Sequence, residues 1–221
     1  MSSSFKVIAA PAVSAEPVSI SEVKSLLHID WADDDALIQS LISRARSIAE
    51  TITHRALAYQ QIQQVDTIER PIGGELSGPI NHPPSWYQYS EELGANPFGA
   101  AQFYYDLAMP PIDTTQPVVI ETKVTAFNPW AAFPQQTNTD GSTNTWVDDN
   151  REPARIYIMS PITSNFYRFT FWCGPTTTYP IFPDLKQAIA EGAAYLYDHR
   201  EAEGLPDALV NKLLARRVDW M

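Results

Sequence analysis

The chain has 221 residues, 44% of them apolar and 19% charged, with a net charge of −11. That length suits one domain with a true hydrophobic core, and the acidity argues against the basic stripe that nucleic-acid binders carry. One cysteine, Cys173, excludes an internal disulfide framework and a cysteine-rich zinc site; no stretch reads as a signal peptide or approaches the roughly 20 apolar residues of a membrane span, so a soluble protein is expected.

The first ordered element is expected at "SISE", where Ser19 and Glu22 have the spacing of a capping box. Val23, Leu26 and Leu27 then form a short apolar stripe that stops near His28. A long helix follows over Asp33–Thr53, because Leu37, Ile38, Leu41, Ile42, Ala45, Ile48, Ala49 and Ile52 recur at three- and four-residue steps. Asp33, Asp34 and Asp35 crowd its start. They read as helix-capping and dipole-favouring acids rather than a calcium loop, which would need a glycine and a terminal glutamate.

From Tyr59 to Pro180 the character changes. Ten of the 18 prolines lie between Pro71 and Pro134, which excludes long helices there. "AYQQIQQVDTI", "PVVIETKVTAF", "ARIYIMS" and "FYRFTFWC" alternate or are rich in β-branched and aromatic residues, and read as strands. Asp140-Gly141 is a turn signal. Glycines and prolines break residues 71–105 into a long loop carrying Trp86, Tyr87, Tyr89, Phe103, Tyr104 and Tyr105. Residues 71–180 hold ten acids against four bases, so much of the acidity sits in this excursion.

Helix returns at Pro183, a residue suited to a first helical position. Leu185, Ile189, Gly192, Ala193 and Leu196 make its apolar stripe. Gly192 costs about 1 kcal/mol against alanine, which predicts close approach by another backbone. Gly204 is expected to end this helix. Pro206 opens a last one with Val210, Leu213 and Leu214 on its apolar face and Arg216 and Arg217 at its negative end. The layout is therefore α+β in a single domain over 1–221. A small α-helical bundle comes from 19–58 and 181–218, with a central β-rich, proline-rich excursion over 59–180.

No catalytic constellation emerges. Gly73, Gly74 and Gly78 lack the lysine and hydroxyl of a phosphate loop, and Ser77 lacks the residues of a nucleophile elbow. Cys173 in an aromatic strand reads as a buried structural thiol. His28, His54, His82 and His199 lack metal-ligand spacing, and His199 reads as a cation at a helix end. Asp148 and Asp149 are as well explained by a solvated turn as by a site. The reading is of a non-enzyme that needs no metal or cofactor.

Several stretches, taken in order, resemble the head–tail connector (adaptor) proteins of tailed bacteriophages. "EPVSISEVKSLLHIDWADDDALIQSLISRARSIAETITHRAL" is similar to that family's opening. "MPPIDTTQPVVIETKVTAF", "NTDGSTNTW" and "EPARIYI" are similar to its central β region, and "FPDLKQAIAEGAAYLYDHREA" and "LPDALVNKLLARRV" to its closing helices. Residues 71–105 and those around Trp130–Thr137 are longer than the family pattern.

The resemblance implies a virion protein that forms a dodecameric ring beneath the portal, extends the DNA channel without binding DNA specifically, and offers a docking surface to a tail or nozzle protein. It would lie at the head–tail interface of the virion, and in the host cytoplasm during assembly. Ring packing of the small-residue helix would fall on Ala190, Gly192 and Ala194, and a partner-binding loop on Trp86, Tyr87 and Tyr104. The tip with Arg216, Arg217 and Trp220 reads equally as a portal interface or as dipole-compensating arginines with a folded-back tryptophan. The competing readings are a cytoplasmic interaction module and a small hydrolase built on the β region.

Overall fold

A computed structural model describes residues 3–12, 15–67, 102–134, 144–159, 164 and 166–218. In chain order the elements are β1 (Ser3–Ala9), α1 (Ile20–Leu27), α2 (Asp35–Thr53), β2 (Gln60–Thr67), β3 (Gln102–Asp106), β4 (Val119–Lys123) and β5 (Ala131–Ala132). They continue with β6 (Thr145–Asp148), β7 (Arg155–Met159), β8 (Phe166–Cys173), α3 (Pro183–Asp198) and α4 (Asp207–Leu214). The class is α+β, with four helices and two antiparallel sheets among the described residues.

Ser19 and Glu22 form the capping box that opens α1: the Glu22 N–H donates to Ser19 Oγ and the Ser19 N–H to the Glu22 carboxylate. Of the expected stripe Val23 is buried, whereas Leu26 is half exposed. The acids before α2 behave differently from the capping expectation. Asp34 occupies the cap position without a side-chain capping bond. Its carboxylate accepts instead from the Tyr197 hydroxyl (2.6 Å) and the Trp31 indole (3.3 Å), while Asp35 pairs with Lys24 at 2.7 Å. These acids staple three helices together. His28 and His54 cap the C-terminal ends of α1 and α2 in the left-handed conformation, with φ of 56° and 55°.

The α2 stripe packs on the α3 stripe, and Ile38, Ile42, Ala45, Leu185, Ile189 and Ala193 lie together in one core with parts of α1 and α4. The α2 face also buries Arg46 and Glu50, which the apolar pattern does not reveal; Arg46 pairs with Glu16 (2.9 Å) and Glu50 (2.6 Å). Gly192 lies against the subunit's own Leu205 and Ala45: an added methyl would sit 3.0 Å from Leu205 Cδ2 and 3.5 Å from Ala45 Cβ. The helix itself ends at Asp198 with His199 as its cap, six residues before Gly204. In α4 the buried residues are Leu209 and Leu213, an i,i+4 pair, and Leu214 is exposed.

The larger sheet has the order β1-β2-β8-β4-β5, the smaller β3-β7-β6. Strand alternation points Ile62, Ile120, Tyr167, Phe169 and Phe171 of the larger sheet and Tyr105, Ile156 and Ile158 of the smaller one into a shared core. Tyr105 packs across it against Tyr167 and Phe169, with ring centroids 5.4 and 5.0 Å apart. Two strands depart from the sequence reading. β1 precedes the expected first element and pairs with β2 from Gln61 to Asp66, and β3 takes up the end of the segment read as a loop to residue 105. The rest of that loop and the Asp140-Gly141 turn lie outside the described residues.

Ala56 belongs to the sheet core and its neighbour Leu57 to the helical core. The seam between the two bodies is therefore one peptide wide at this point. Glu50 braces it by accepting the Leu57 N–H (2.9 Å) and the Gln60 side-chain amide (3.2 Å). Gly174 closes the other side, with φ +116° and the Ala58 carbonyl oxygen only 2.4 Å from where a Cβ would be. Among the described residues, no helix lies across either sheet.

Candidate docking surfaces

Because the helices leave the sheets uncovered, the outward-pointing residues of each strand form two broad faces. On the larger sheet the register sets Lys6 beside Gln63, Arg168 between Val65 and Glu121, and Lys123 beside Phe166. Arg168 makes a two-pronged bond to Glu121 (2.7 and 2.6 Å) and lies 4.5 Å from the Trp130 ring centroid. Lys123 sits between Trp130 (4.7 Å) and Phe166 (4.9 Å). In an acidic chain this face is basic and aromatic.

The smaller sheet's outer face has the opposite character. Trp146, Tyr157 and Tyr104 stand in one cross-strand row, and Asp148, Arg155 and Asp106 in the next. Trp146 stacks on Tyr157 at 4.7 Å and 9°. The Arg155 guanidinium covers Tyr104 at 3.6 Å and bonds Asp106 through Nε (2.6 Å) and a terminal nitrogen (3.1 Å). Tyr104, expected in a partner-binding loop, thus lies on a strand; Trp86 and Tyr87 lie outside the described residues.

Beyond β4, residues 124–130 form an ordered turn. Thr125 donates its N–H (3.0 Å) and its hydroxyl (2.6 Å) to the Asn128 side-chain oxygen, and Lys123 donates to the Ala126 carbonyl (3.2 Å). This scaffold holds Phe127 98% exposed.

At the C-terminal tip, Arg216 Nε donates to Asp184 at 2.8 Å, which holds the Asp184 carboxyl below its ordinary range. The Arg216 guanidinium also lies 4.7 Å from the Phe182 ring centroid. Arg55 reaches the same region, donating to the Arg216 carbonyl (2.8 Å) and gripping Glu152 with both terminal nitrogens. A cleft of about 250 Å³ opens there, lined by Arg55, Glu152, Pro180 and Phe182 among others. Arg216 and Arg217 are exposed; Trp220 lies outside the described residues. Ala190 is buried in the helical core beside Gly192, and Ala194 is half-buried at its edge.

Cys173 is fully buried, its sulfur 3.7 Å from the Gln60 carbonyl, and burial followed by the nearby Glu50 charge pushes the thiol well above its usual range. It is the inert structural thiol expected of that strand. His199 stacks on Tyr195 at 4.2 Å. Among the described residues no cluster of histidine, cysteine and carboxylate could hold a metal ion, and no helix is long and apolar enough to cross a membrane.

Residues 17–92 match the model of the phage gp6-like head–tail connector protein family. The head–tail connector resemblance read from the sequence is shown by this match over α1, α2 and β2, and the family is one of connectors rather than enzymes. Three solved chains share the fold over nearly the full length. One comes from the neck of an empty GTA particle computed with C6 symmetry: 18% identity, TM-score 0.59, covering 99% of this chain and 97% of that one. A second comes from the neck of a native GTA particle computed with C12 symmetry: 18% identity, TM-score 0.57, with the same coverages. A third comes from the virion of a native gene transfer agent (GTA) particle: 17% identity, TM-score 0.56, covering 98% and 96%. No curated protein matches the chain.

Proposed function

We propose that this chain is a structural virion protein, the subunit of a ring that joins portal to tail. The observation that carries this reading is the pairing of a connector-family match over residues 17–92 with a whole-length fold like that of chains from GTA necks. The ring is a dodecamer surrounding the DNA channel, with its lower rim docking a tail or nozzle protein. The net charge of −11 suits that place, since an acidic wall repels phosphates and lets DNA slide. The single adaptor domain over 1–221 divides its work between a helical body and a sheet body.

The portal contact falls to the tip carrying Arg216, Arg217 and Trp220, and the tail contact to the segment of Trp86 and Tyr87. Ala194, at the edge of the small-residue helix, is better placed to meet a neighbour than the more deeply packed Ala190 and Gly192. Electron microscopy of the purified chain mixed with the portal of the same particle tests the assignment. A ring added coaxially to the portal is expected, and co-sedimentation of the chain with complete virions. A chain that stays free of both is a cytoplasmic module instead.

A further inference from the structure

We propose that the outer faces of the two sheets are the two halves of one subunit–subunit contact: the basic face of the larger sheet receives the acidic face of the smaller sheet from the next copy. This inference rests on the ring reading and names its contact.

The two sheets share one core, so their outer faces point in opposite directions and cannot meet within a subunit. Cyclic symmetry imposes that arrangement on the contact surfaces. Every subunit presents one patch to the neighbour on its left and a different patch to the neighbour on its right, and the two must fit each other.

The charges do so. Among the described residues Lys6 and Lys123 have no carboxylate partner, while Arg168 is neutralised by Glu121. On the opposite face Asp106 is neutralised by Arg155, and Asp148 has no cation partner among the described residues. Each face therefore keeps charge of one sign that its own subunit leaves unanswered, and the signs are opposite. Opposed charge patterns of this kind fix register and exclude wrong partners more than they add affinity. Affinity comes from the anchors beside the charges, Trp130 on one face and the 36%-exposed Trp146 on the other, because tryptophan is enriched among residues that dominate interfaces. A second copy is favoured over a nucleic acid because only two unpaired cations lie on the basic face, against the several phosphate contacts that duplex binding needs.

Charge reversal on the full-length chain tests the contact, read by sedimentation velocity at low and high salt, with circular dichroism verifying the fold. Lys6→Glu with Lys123→Glu should weaken self-association roughly tenfold or more at low salt, and Asp148→Lys should weaken it in the same direction. The chain carrying all three changes has both faces reversed and should recover most of the wild-type association. Trp146→Ala should weaken assembly at every salt concentration. If wild-type protein forms rings and the single-face variants do so equally well, the ring reading stands and this contact is wrong. Loss of duplex DNA retention by Lys6→Glu with Lys123→Glu, with assembly intact, overturns it in favour of a DNA-facing surface. A wild-type chain that stays monomeric in all conditions counts against the ring itself.

Discussion

Val218 donates its backbone N–H to the Thr53 carbonyl at 2.9 Å, and its own carbonyl meets His54 Nδ1 at 3.1 Å. The last buried side chain among the described residues thus closes the C-terminal end of α2, satisfying a carbonyl that the helix cannot satisfy itself. A cut that removes Val218 should cost about 3–5 kcal/mol more than one that spares it, from two lost hydrogen bonds and one lost apolar side chain. Urea denaturation of the two truncations reads the difference. A portal-docking test of this tip should therefore begin its deletion after Val218 and leave Arg216 in place, since its guanidinium is held by Asp184.

The packing of α2 on α3 yields a second prediction. Ile189 is fully buried between them, so Ile189→Ala should destabilise by about 2–5 kcal/mol through the cavity it leaves. Ile189→Asp should prevent folding, because an unpaired charge would enter the same place. Soluble, fully helical Ile189→Asp protein would refute the assignment of this core.

Two glycines should respond in opposite ways to alanine. At Gly192 the obstacle is the far end of Leu205, a side chain that can turn aside, and alanine is the better helix former. Gly192→Ala should change stability by no more than about 1 kcal/mol in either direction. At Gly174 the obstacle is the backbone of Ala58 and the φ is positive. Gly174→Ala should cost about 3–5 kcal/mol. Thermal melts of the two variants make the comparison.

Glu22 supplies a pH dependence. The Lys186 ammonium, and after it the Ser19 N–H, holds the Glu22 carboxyl down from 4.5 to about 2. A depressed carboxylate favours the folded state above its unfolded value, and that contribution fades as pH falls from about 4.5 toward 2. Both Glu22 and Lys186 are some two-fifths exposed, so screening limits the ion pair and cap to about 1 kcal/mol. Glu22→Gln should lose that amount at pH 7 and progressively less as pH falls from about 4.5 through 2, as measured by denaturation across that range.

The features legible in the sequence are those whose causes are local. The Ser19–Glu22 box, the α2 stripe and the alternation of β2, β7 and β8 each depend on neighbours within a few positions, and each appears where its pattern lies. β1 was not legible because "SSFKVIA" becomes a strand only by pairing with β2, some sixty residues on. Buried Arg46 was hidden for a like reason, since Glu16 lies thirty positions before it. The acids at 33–35 carried an ambiguous signal: their charge suits a helix start, but Tyr197 and Lys24 decide where the carboxylates go. The two outer sheet faces were visible as alternation. Their opposite charge was not, because it depends on which strands share a sheet.

The order of the strands has a consequence for biogenesis. β2 is sandwiched between β1 and β8, and α2 rests on α3, so neither core can close until β8 and α3 have been synthesised. A nascent chain halted after residue 160 would display the whole apolar face of α2 and an open edge of β2, the kind of surface that aggregates or recruits chaperones. Both bodies thus await the synthesis of β8, α3 and α4 and then fold nearly together. The non-local pairings make that step slow for a domain of this size. The emergence of β8 and the closing helices, rather than any early intermediate, sets the moment at which an assembly-competent subunit first exists.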